Sequence, residues 1–180
     1  IGGLALVATL GLRIAGAQPR SIDQTLLDRA ADHEAADRIE LAVVTRLRLV
    51  ERQPDAVDRR ADLARALLTW IRMGIEARAE ARAFEVATGL LERQFEAGFR
   101  LAPEHPGLNE TYARFLLLLS ESQAEPVPIE DAADAARVVT DARPQDPQAW
   151  LLRARLELRR GASVAAGQAY VRALQAAGER

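Results

Sequence analysis

The sequence predicts an all-α fold made of paired helices, and three observations indicate it. Ala and Leu dominate an apolar share of 49%, whereas aromatic residues make up only 4% of the 180 residues. Small and medium aliphatic side chains suit closely packed helices. From residue 21 onward apolar residues recur at helical intervals, and no segment alternates as a strand does. Breaks at Pro54, Pro103 and Pro144 divide this helical pattern into pieces.

Charge and composition exclude several kinds of chemistry. The chain carries 24 basic and 26 acidic residues, so it has no basic excess to neutralise nucleic-acid phosphates, and no nucleic-acid partner is expected. It contains no Cys, which excludes disulfides, thiolate catalysis, Cys-ligated zinc and haem attachment through a C-x-x-C-H motif within the chain. Every basic residue is Arg, and a P-loop needs a Lys, so that nucleotide-binding motif is excluded as well.

The amino-terminal segment, residues 1–17, is apolar or small except for Arg13. Its uninterrupted part is too short to span a bilayer, which takes about 20 apolar residues in a helix. Three interpretations stay open: the end of a transmembrane helix, a signal-peptide core with a cleavage site at 15–17, or a buried helix. The four glycines of the segment favour the first, a membrane-anchor remnant. Arg13 and Arg20 favour a cytoplasmic body by the positive-inside tendency.

Residues 18–53 are expected to form an irregular helical segment that leads into the hairpins. Ser21 is a good N-cap for a helical pattern that runs to residue 52, with a break expected near His33. After the break at Pro54, we expect a helix that ends near Gly74. An Ala-rich stretch over 75–101 then completes the first hairpin.

The rest of the chain repeats this arrangement twice. A helix over 108–119 and a helix over 129–142 are separated by a polar, Pro-bearing loop at 120–128. Glu130 lies in the first turn of the second helix, where a carboxylate interacts favourably with the helix dipole. Two further helices are expected around Gly161. The sequence thus predicts three hairpins, at 54–102, 103–143 and 144–180.

The carboxyl-terminal helix is expected to have an unsatisfied face. Solenoids usually close with a polar capping helix, because a terminal repeat otherwise exposes its stacking face. Here the final hairpin is followed only by residues 178–180, and Val164, Val171 and Leu174 are available to pack. We therefore expect this end either to contact a partner or to fray.

The last hairpin resembles a tetratricopeptide repeat (TPR) in the spacing of six positions. In order they are Trp150, Ala154, Gly161, Ala166, Tyr170 and Ala173. At these positions the Trp would anchor the first helix, the small alanines would let the helices approach closely, and the Gly would permit the turn. Arg153 and Glu157 depart from the pattern, since Leu and an aromatic residue are usual there.

A short sequence pattern that recurs within the chain extends the resemblance toward the amino terminus. The stretches ARALL, ARFLL and ARLEL begin at Ala64, Ala113 and Ala154, each in the first helix of a predicted hairpin. Their starts lie 49 and 41 residues apart. Both exceed the repeat length of about 34 residues, which implies inserts in the 75–101 helix and the 120–128 loop. The predicted fold class is an all-α, TPR-like solenoid of about three hairpins plus the irregular helical segment.

No residue pattern predicts a catalytic, cofactor-binding or metal site. His33 and His105 are far apart and lie in no metal-binding motif, so structural or solvated roles are expected. The serines have no nucleophile-elbow context and are expected to cap helices or lie in loops. Trp70 and Trp150 are expected to anchor the core rather than to cage a ligand. The chain is therefore expected not to be an enzyme, and to use no cofactor and no small-molecule substrate.

A solenoid of helix hairpins presents a concave surface lined by its first helices, which suits a protein or peptide partner. Three arginines directly follow the close-packing alanines and turn about 100° away from them, toward this surface. We expect them to form one basic ladder there, completed by three leucines. The predicted partner-binding residues are Arg65, Leu68, Arg114, Leu117, Arg155 and Leu158. Free guanidinium groups would bind an acidic peptide; in the alternative, each arginine is paired with a carboxylate of its own or the adjacent hairpin.

The order of motifs is also similar to the repeat domain of membrane-anchored bacterial cytochrome c maturation proteins. A Pro-ended helix is followed by ETYAR at 110–114, an apolar run, a polar insert, a helix and DPQAW at 146–150. The resemblance implies a chaperone of apocytochrome, anchored in the bacterial inner membrane by its amino-terminal segment. Its body would lie in the periplasm, against the side that the flanking arginines favour.

The predicted function is therefore to hold a partner polypeptide in a concave groove. The alternative is an accessory structural subunit of a membrane protein complex. A chaperone should keep an open groove, whereas a structural subunit should have its groove filled or its outer faces buried.

Overall fold

The computed structural model describes residues 21–77, 81–122 and 127–178. In these ranges the chain forms eight α-helices and no strand, which confirms the predicted all-α class. The helices are α1 Ile22–Ala35, α2 Ile39–Arg52, α3 Val57–Glu76, α4 Ala81–Leu101, α5 Pro106–Ser122, α6 Ile129–Ala142, α7 Pro147–Arg159 and α8 Ser163–Gly178.

The helices pack as successive pairs that stack along the chain. Each first helix packs against the helix that follows it, giving the pairs α1–α2, α3–α4, α5–α6 and α7–α8. The pairs are joined by contacts of α2 with α3, of α4 with α5 and of α6 with α7, and the first helices α3, α5 and α7 contact one another in turn. Within the described ranges the backbones of the end helices, α1 and α8, approach only their own pair partners.

The breaks between helices follow local signals, with two shifts from the sequence-based boundaries. The first break lies at Ala36–Arg38 rather than near His33, and Asp37 there has a φ of 55°. Helix α3 runs through Gly74 to Glu76, because a glycine costs a helix interior only about 1 kcal/mol and packing outweighs that cost.

The turn between α7 and α8 has the same geometry as the first break. Gly161 adopts a φ of 83°, and the amide of Ala162 donates to the carbonyl of Glu157. This left-handed helix ending is the conformation that glycine adopts without steric cost, so the predicted turn role of Gly161 has a clear physical basis.

Small residues bring the two helices of each pair together. Ala64, Ala113 and Ala154 are each fully buried in their first helices. Aromatic rings concentrate instead at the junction of the second and third pairs. Phe95 of α4 lies 5.1 Å, centroid to centroid, from Tyr112 of α5, in an edge-to-face contact. Phe99 and Phe115 pack on the same cluster, so this junction is held by aromatic contacts as well as by aliphatic burial.

Two sequence-based expectations fall partly or wholly outside the described residues. The apolar segment at 1–17 lies outside them, as do residues 123–126 of the polar loop. In the ranges that the structure does describe, no helix combines the length and the apolar character needed to cross a membrane.

Candidate functional site

The first helices α3, α5 and α7 line an open cavity of about 420 Å³, which we call the groove. Its lining residues are Arg65, Leu68, Thr69, Arg72, Glu110, Thr111, Arg114, Leu117, Leu118, Glu121, Leu152 and Arg155. Leu117 and Leu152 are buried and form an apolar floor, while the arginines and glutamates form polar walls. The groove thus combines an apolar base with charged sides.

The helical period explains why the polar wall residues of each first helix lie on the same face. On α3, Leu68, Thr69 and Arg72 follow Arg65 after three, four and seven residues, the spacing that keeps side chains on one helix face. The buried alanine next to each predicted arginine fixes the rotation of the helix against its pair partner. The arginine that follows is therefore turned out of the pair interface and toward the groove.

Five of the six predicted partner-binding residues line the groove. They are Arg65, Leu68, Arg114, Leu117 and Arg155. Leu158 does not line it, and its side chain is 55% exposed. The cause is its position in the stack. Helix α5 closes the groove beside Leu68 and α7 closes it beside Leu117, but no first helix follows α7 in the described part of the chain.

Each predicted arginine has a carboxylate partner, and each carboxylate is shared with a second arginine. Asp62 is the partner of Arg65, with Nη2 and Oδ1 2.8 Å apart. Arg46 of α2 also reaches Asp62, at 3.3 Å from Nη1 to Oδ2. The paired alternative therefore holds: each of the three arginines has a carboxylate partner in its own or the adjacent hairpin, although all three line the groove.

The central arginine repeats this arrangement through Glu110. Arg114 donates to Glu110 from Nε and Nη2 at 3.0 and 2.9 Å, and Arg143 donates to the other carboxylate oxygen. Burial raises the pKa of Glu110, but the hydrogen bonds from Arg143 and Arg114 outweigh it and bring the pKa below its ordinary value of 4.5. Glu110 is thus held ionised in the wall of the groove.

The third carboxylate joins two hairpins. Arg155 of α7 donates to Glu121 of α5 at 2.6 Å, and Arg159 lies 3.9 Å from the same oxygen. Each of the three carboxylates therefore serves two guanidinium groups, so the local charge stays positive. Four arginines and two glutamates line the groove, an excess of two positive charges.

Arg72 is the groove arginine that the sequence analysis missed. It has no ion-pair or hydrogen-bond partner among the described residues. It lies seven residues after Arg65, so the helical spacing counted from Arg65 could have identified it. Glu121 could not be found in this way, because its part in the groove depends on contact with a helix more than thirty residues later.

Two of the other residues considered in the sequence, His105 and Trp150, have structural roles. The Nδ1 of His105 accepts from the amide of Leu108 at 3.3 Å, and its Nε2 lies 3.0 Å from Asp58, so this histidine links the start of α5 to α3. The indole of Trp150 donates to the carbonyl of Pro144 at 2.8 Å and anchors the start of α7. Within the described ranges, no group of three or more His, Asp or Glu side chains is placed to hold a metal ion.

Comparison with known proteins identifies the architecture. No protein-family model matches the chain, and neither does any curated protein. TTC0263, a thermophilic TPR protein in Thermus thermophilus, is similar in structure with a TM-score of 0.68 at 17% sequence identity, over 88% of this chain and 75% of that chain. MamA MSR-1 C2 is aligned over 87% of this chain and 97% of its own at 15% identity, but its TM-score of 0.42 is too low to support a conclusion. The predicted resemblance is confirmed at the level of the fold: the chain is a TPR-like solenoid of helix hairpins.

Proposed function

We propose that this protein is a non-enzymatic interaction module that holds an acidic segment of a partner polypeptide in the groove. The observation that carries the proposal is the arginine excess on the walls of an open cavity with an apolar floor. An extended acidic segment would place carboxylates against the walls and its apolar side chains against Leu117 and Leu152. The apolar contacts on the floor and the charged contacts on the walls would together fix the register of the peptide.

The arginines of the groove have N–H groups that are not used in internal hydrogen bonds and can donate to such a segment. A guanidinium group has five N–H donors in a planar fork. Among the described residues, Arg65 and Arg155 each use only Nη2 in hydrogen bonds, and Arg72 uses none. A bound carboxylate can therefore be accepted without breaking the internal pairs, as an additional charge-assisted contact.

The sharpest test uses Arg72 rather than Arg114. Changing Arg114 to Glu would place two carboxylates side by side with Glu110 and disturb an internal pair. Changing Arg72 to Glu removes no described ion pair. Binding of a fluorescently labelled Asp/Glu-rich peptide should weaken at least about tenfold, since one hydrogen bond to a charged group contributes about 1.5–3 kcal/mol. Fluorescence anisotropy at several salt concentrations would measure this.

A matched control separates the groove from general charge. Arg93 on α4 is exposed and also lacks a partner among the described residues, but it does not line the groove. Arg93→Glu should leave peptide affinity unchanged apart from a small salt-dependent effect. The second control is a peptide in which every Asp and Glu is replaced by Asn and Gln. This peptide should not bind the native chain. Equal losses in the two variants, or tight binding of the amide peptide, would contradict the proposal.

The finer assignment, a membrane-anchored assembly factor of the cytochrome c maturation type with a periplasmic body, rests on the order of sequence motifs. It belongs to the same proposal, because an apocytochrome would be the partner polypeptide. Affinity purification of the full protein from detergent-solubilised membranes would test it. Reversible recovery of an apocytochrome or its ligation machinery would support it. Stoichiometric co-purification with a stable complex would favour the structural-subunit alternative.

A further inference from the structure

Two smaller cavities continue the groove along α3, toward the first helix pair. One of about 200 Å³, which we call the turn hollow, shares Arg65 and Thr69 with the groove and is also lined by Glu34 and Asp37. The next, of about 370 Å³, shares Asp37 and Ile39 with the turn hollow, and we call it the tryptophan pocket. Because neighbouring cavities share lining residues, the three form one continuous surface. It leaves the groove between the turn that joins α1 to α2 and the carboxyl-terminal half of α3.

The net charge of this surface reverses beyond Arg65. The groove has an excess of two positive charges. At the turn hollow, Glu34 is paired with Arg46, and Arg65 is paired with Asp62. The carboxylate of Asp37 has no ion-pair or hydrogen-bond partner among the described residues. The tryptophan pocket adds one basic and one acidic residue, whose charges cancel, so the surface beyond Arg65 has an excess of one negative charge.

Asp37 carries this unpaired charge in a backbone conformation that favours glycine. Its φ is 55°, and at the equivalent turn between α7 and α8 the chain has Gly161 with a φ of 83°. The side chain of Asp37 is exposed, and its carboxylate makes no hydrogen bond that would hold the turn. A carboxylate with no internal role is available to a cation of a bound partner.

The tryptophan pocket can receive one large apolar side chain. Trp70, Met73 and Leu41 supply its apolar lining, and none of the three is fully buried. The indole N–H of Trp70 has no hydrogen-bond acceptor among the described residues, whereas the indole of Trp150 donates to Pro144. Tryptophan usually finds an acceptor when it is covered. A bound segment can supply that acceptor as a backbone carbonyl.

We propose that the groove, the turn hollow and the tryptophan pocket together bind one continuous segment of the partner, ordered as acidic residues, one basic residue and one large apolar residue. The acidic part lies in the groove, so this proposal rests on the function proposed above. The basic residue pairs with Asp37, and the apolar residue enters the tryptophan pocket. Met73 lies eight residues after Arg65, about 12 Å along the helix axis. An extended chain covers that distance with about four residues.

Fluorescence anisotropy with the full chain tests this order. The short peptide is an Asp/Glu-rich segment, and two long peptides extend it by four residues that include one Lys and finish with Leu, at the amino or at the carboxyl end. The label is at the opposite end. One long peptide should bind at least about tenfold more tightly than the short one, the effect of burying one large apolar side chain.

Met73→Ala should reduce the affinity for that long peptide at least about threefold and leave the affinity for the short peptide unchanged. The matched control is Ile75→Ala, because Ile75 is exposed on the same helix and does not line the tryptophan pocket. It should change neither affinity. Far-UV circular dichroism shows that each variant is folded.

The contact with Asp37 is tested by changing both partners. Replacing the Lys of the long peptide by Gln should weaken binding to the native chain about threefold, as expected of an exposed ion pair. The same replacement should have no effect on the Asp37→Asn variant, in which Asn still tolerates the positive φ. Asp55→Asn is the control. Asp55 is also exposed and without a partner among the described residues, but it lines none of the three cavities.

Trp70 gives a direct signal of occupancy. The unlabelled long peptide, which contains no Trp, should shift the tryptophan emission of the native chain, and the short peptide should not. The shift should be absent in Trp70→Phe. A long peptide whose tighter binding survives Met73→Ala and leaves the emission unchanged would place its extension elsewhere and overturn the proposal.

Failure of the extension is distinguishable from failure of the function proposed above. If the short peptide binds and Arg72→Glu weakens it, but neither long peptide binds more tightly, the segment ends in the groove. The further proposal is then wrong and the proposed function stands. If Arg72→Glu weakens neither the short nor the long peptides, both are wrong.

Discussion

Replacing Gly98 by Ala is expected to destabilise the protein, whereas the same replacement at Gly89 should stabilise it slightly. Both glycines lie inside α4, so helix propensity alone predicts a gain of about 0.5–1 kcal/mol in the free energy of unfolding for either change. The structure separates them. A Cβ at position 89 has no neighbour within 4 Å, but a Cβ at position 98 would lie 2.5 Å from Cδ1 of Leu108.

The size of the effect follows from the surroundings of Leu108. This side chain is 0% exposed, so it can move only by displacing other core atoms at the start of α5. Overpacking of a well-packed core costs about 1–3 kcal/mol. Subtracting the propensity gain of about 0.5–1 kcal/mol leaves a net loss of up to about 2.5 kcal/mol for Gly98→Ala. For a chain of this size each kcal/mol corresponds to about 2–4 °C in melting temperature.

Urea denaturation followed by circular dichroism, with thermal melting as a second probe, would measure both variants. The two changes are chemically identical and lie in the same helix, so errors in the propensity value cancel in their difference. The reasoning fails if Gly98→Ala is as stable as Gly89→Ala. In that case Leu108 relaxes freely, and the junction of the second and third helix pairs is not close-packed.

Four further changes test the contacts that hold the groove, the junction of α4 with α5, and the turns. Glu110→Gln should lower the unfolding free energy by about 1–3 kcal/mol at neutral pH, measured by denaturant titration. Because the pKa of Glu110 is depressed in the folded state, its contribution is complete above about pH 4.5 and is lost as the pH falls through the folded pKa, so the gap between variant and native chain should close in acid. Phe95→Ala should cost about 3–5 kcal/mol in the same assay, and a loss below about 1 kcal/mol would show that the aromatic cluster does not join α4 to α5. Gly161→Ala should cost about 1 kcal/mol while Asp37→Gly, at the equivalent turn, should gain a smaller amount; equal signs would contradict the left-handed turn geometry.

Helix positions were largely predictable because their signals are local. Pro54, Pro103 and Pro144 end the helical patterns, and the structure places breaks beside each of them. The glycine of the last turn was also predictable, since its conformation depends on a few neighbouring residues. The Gly74 boundary was missed for the opposite reason: packing of α3 on its neighbours outweighed a weak local preference.

The two departures from the repeat pattern show the limit of local reasoning. Arg153 and Glu157 stand where apolar residues are usual, and the sequence offered no reason for them. In the structure Glu157 is buried and lies 2.6 Å from Arg160 and 3.7 Å from Arg153. Arg153 in turn lies over the ring of Trp150 and donates to Thr140 of α6. The buried charge of Glu157 is met by these two arginines of its own helix end, and Arg160 in turn donates to Glu130 of α6.

The sequence by itself determined the fold class, the order of the helices and the side of each first helix that carries arginine, since these depend on periodicity, prolines and small residues within one helix or turn. The tertiary structure decided what the arginines do. Arg155 meets Glu121, Arg143 meets Glu110, Arg72 is left without a partner among the described residues, and Leu158 lies beyond the groove. Each of these outcomes depends on how helices are packed within a pair or how one pair is stacked on the next. The ion pairs of Arg155 with Glu121 and of Arg143 with Glu110 join residues more than thirty positions apart, and no local pattern shows that they will meet.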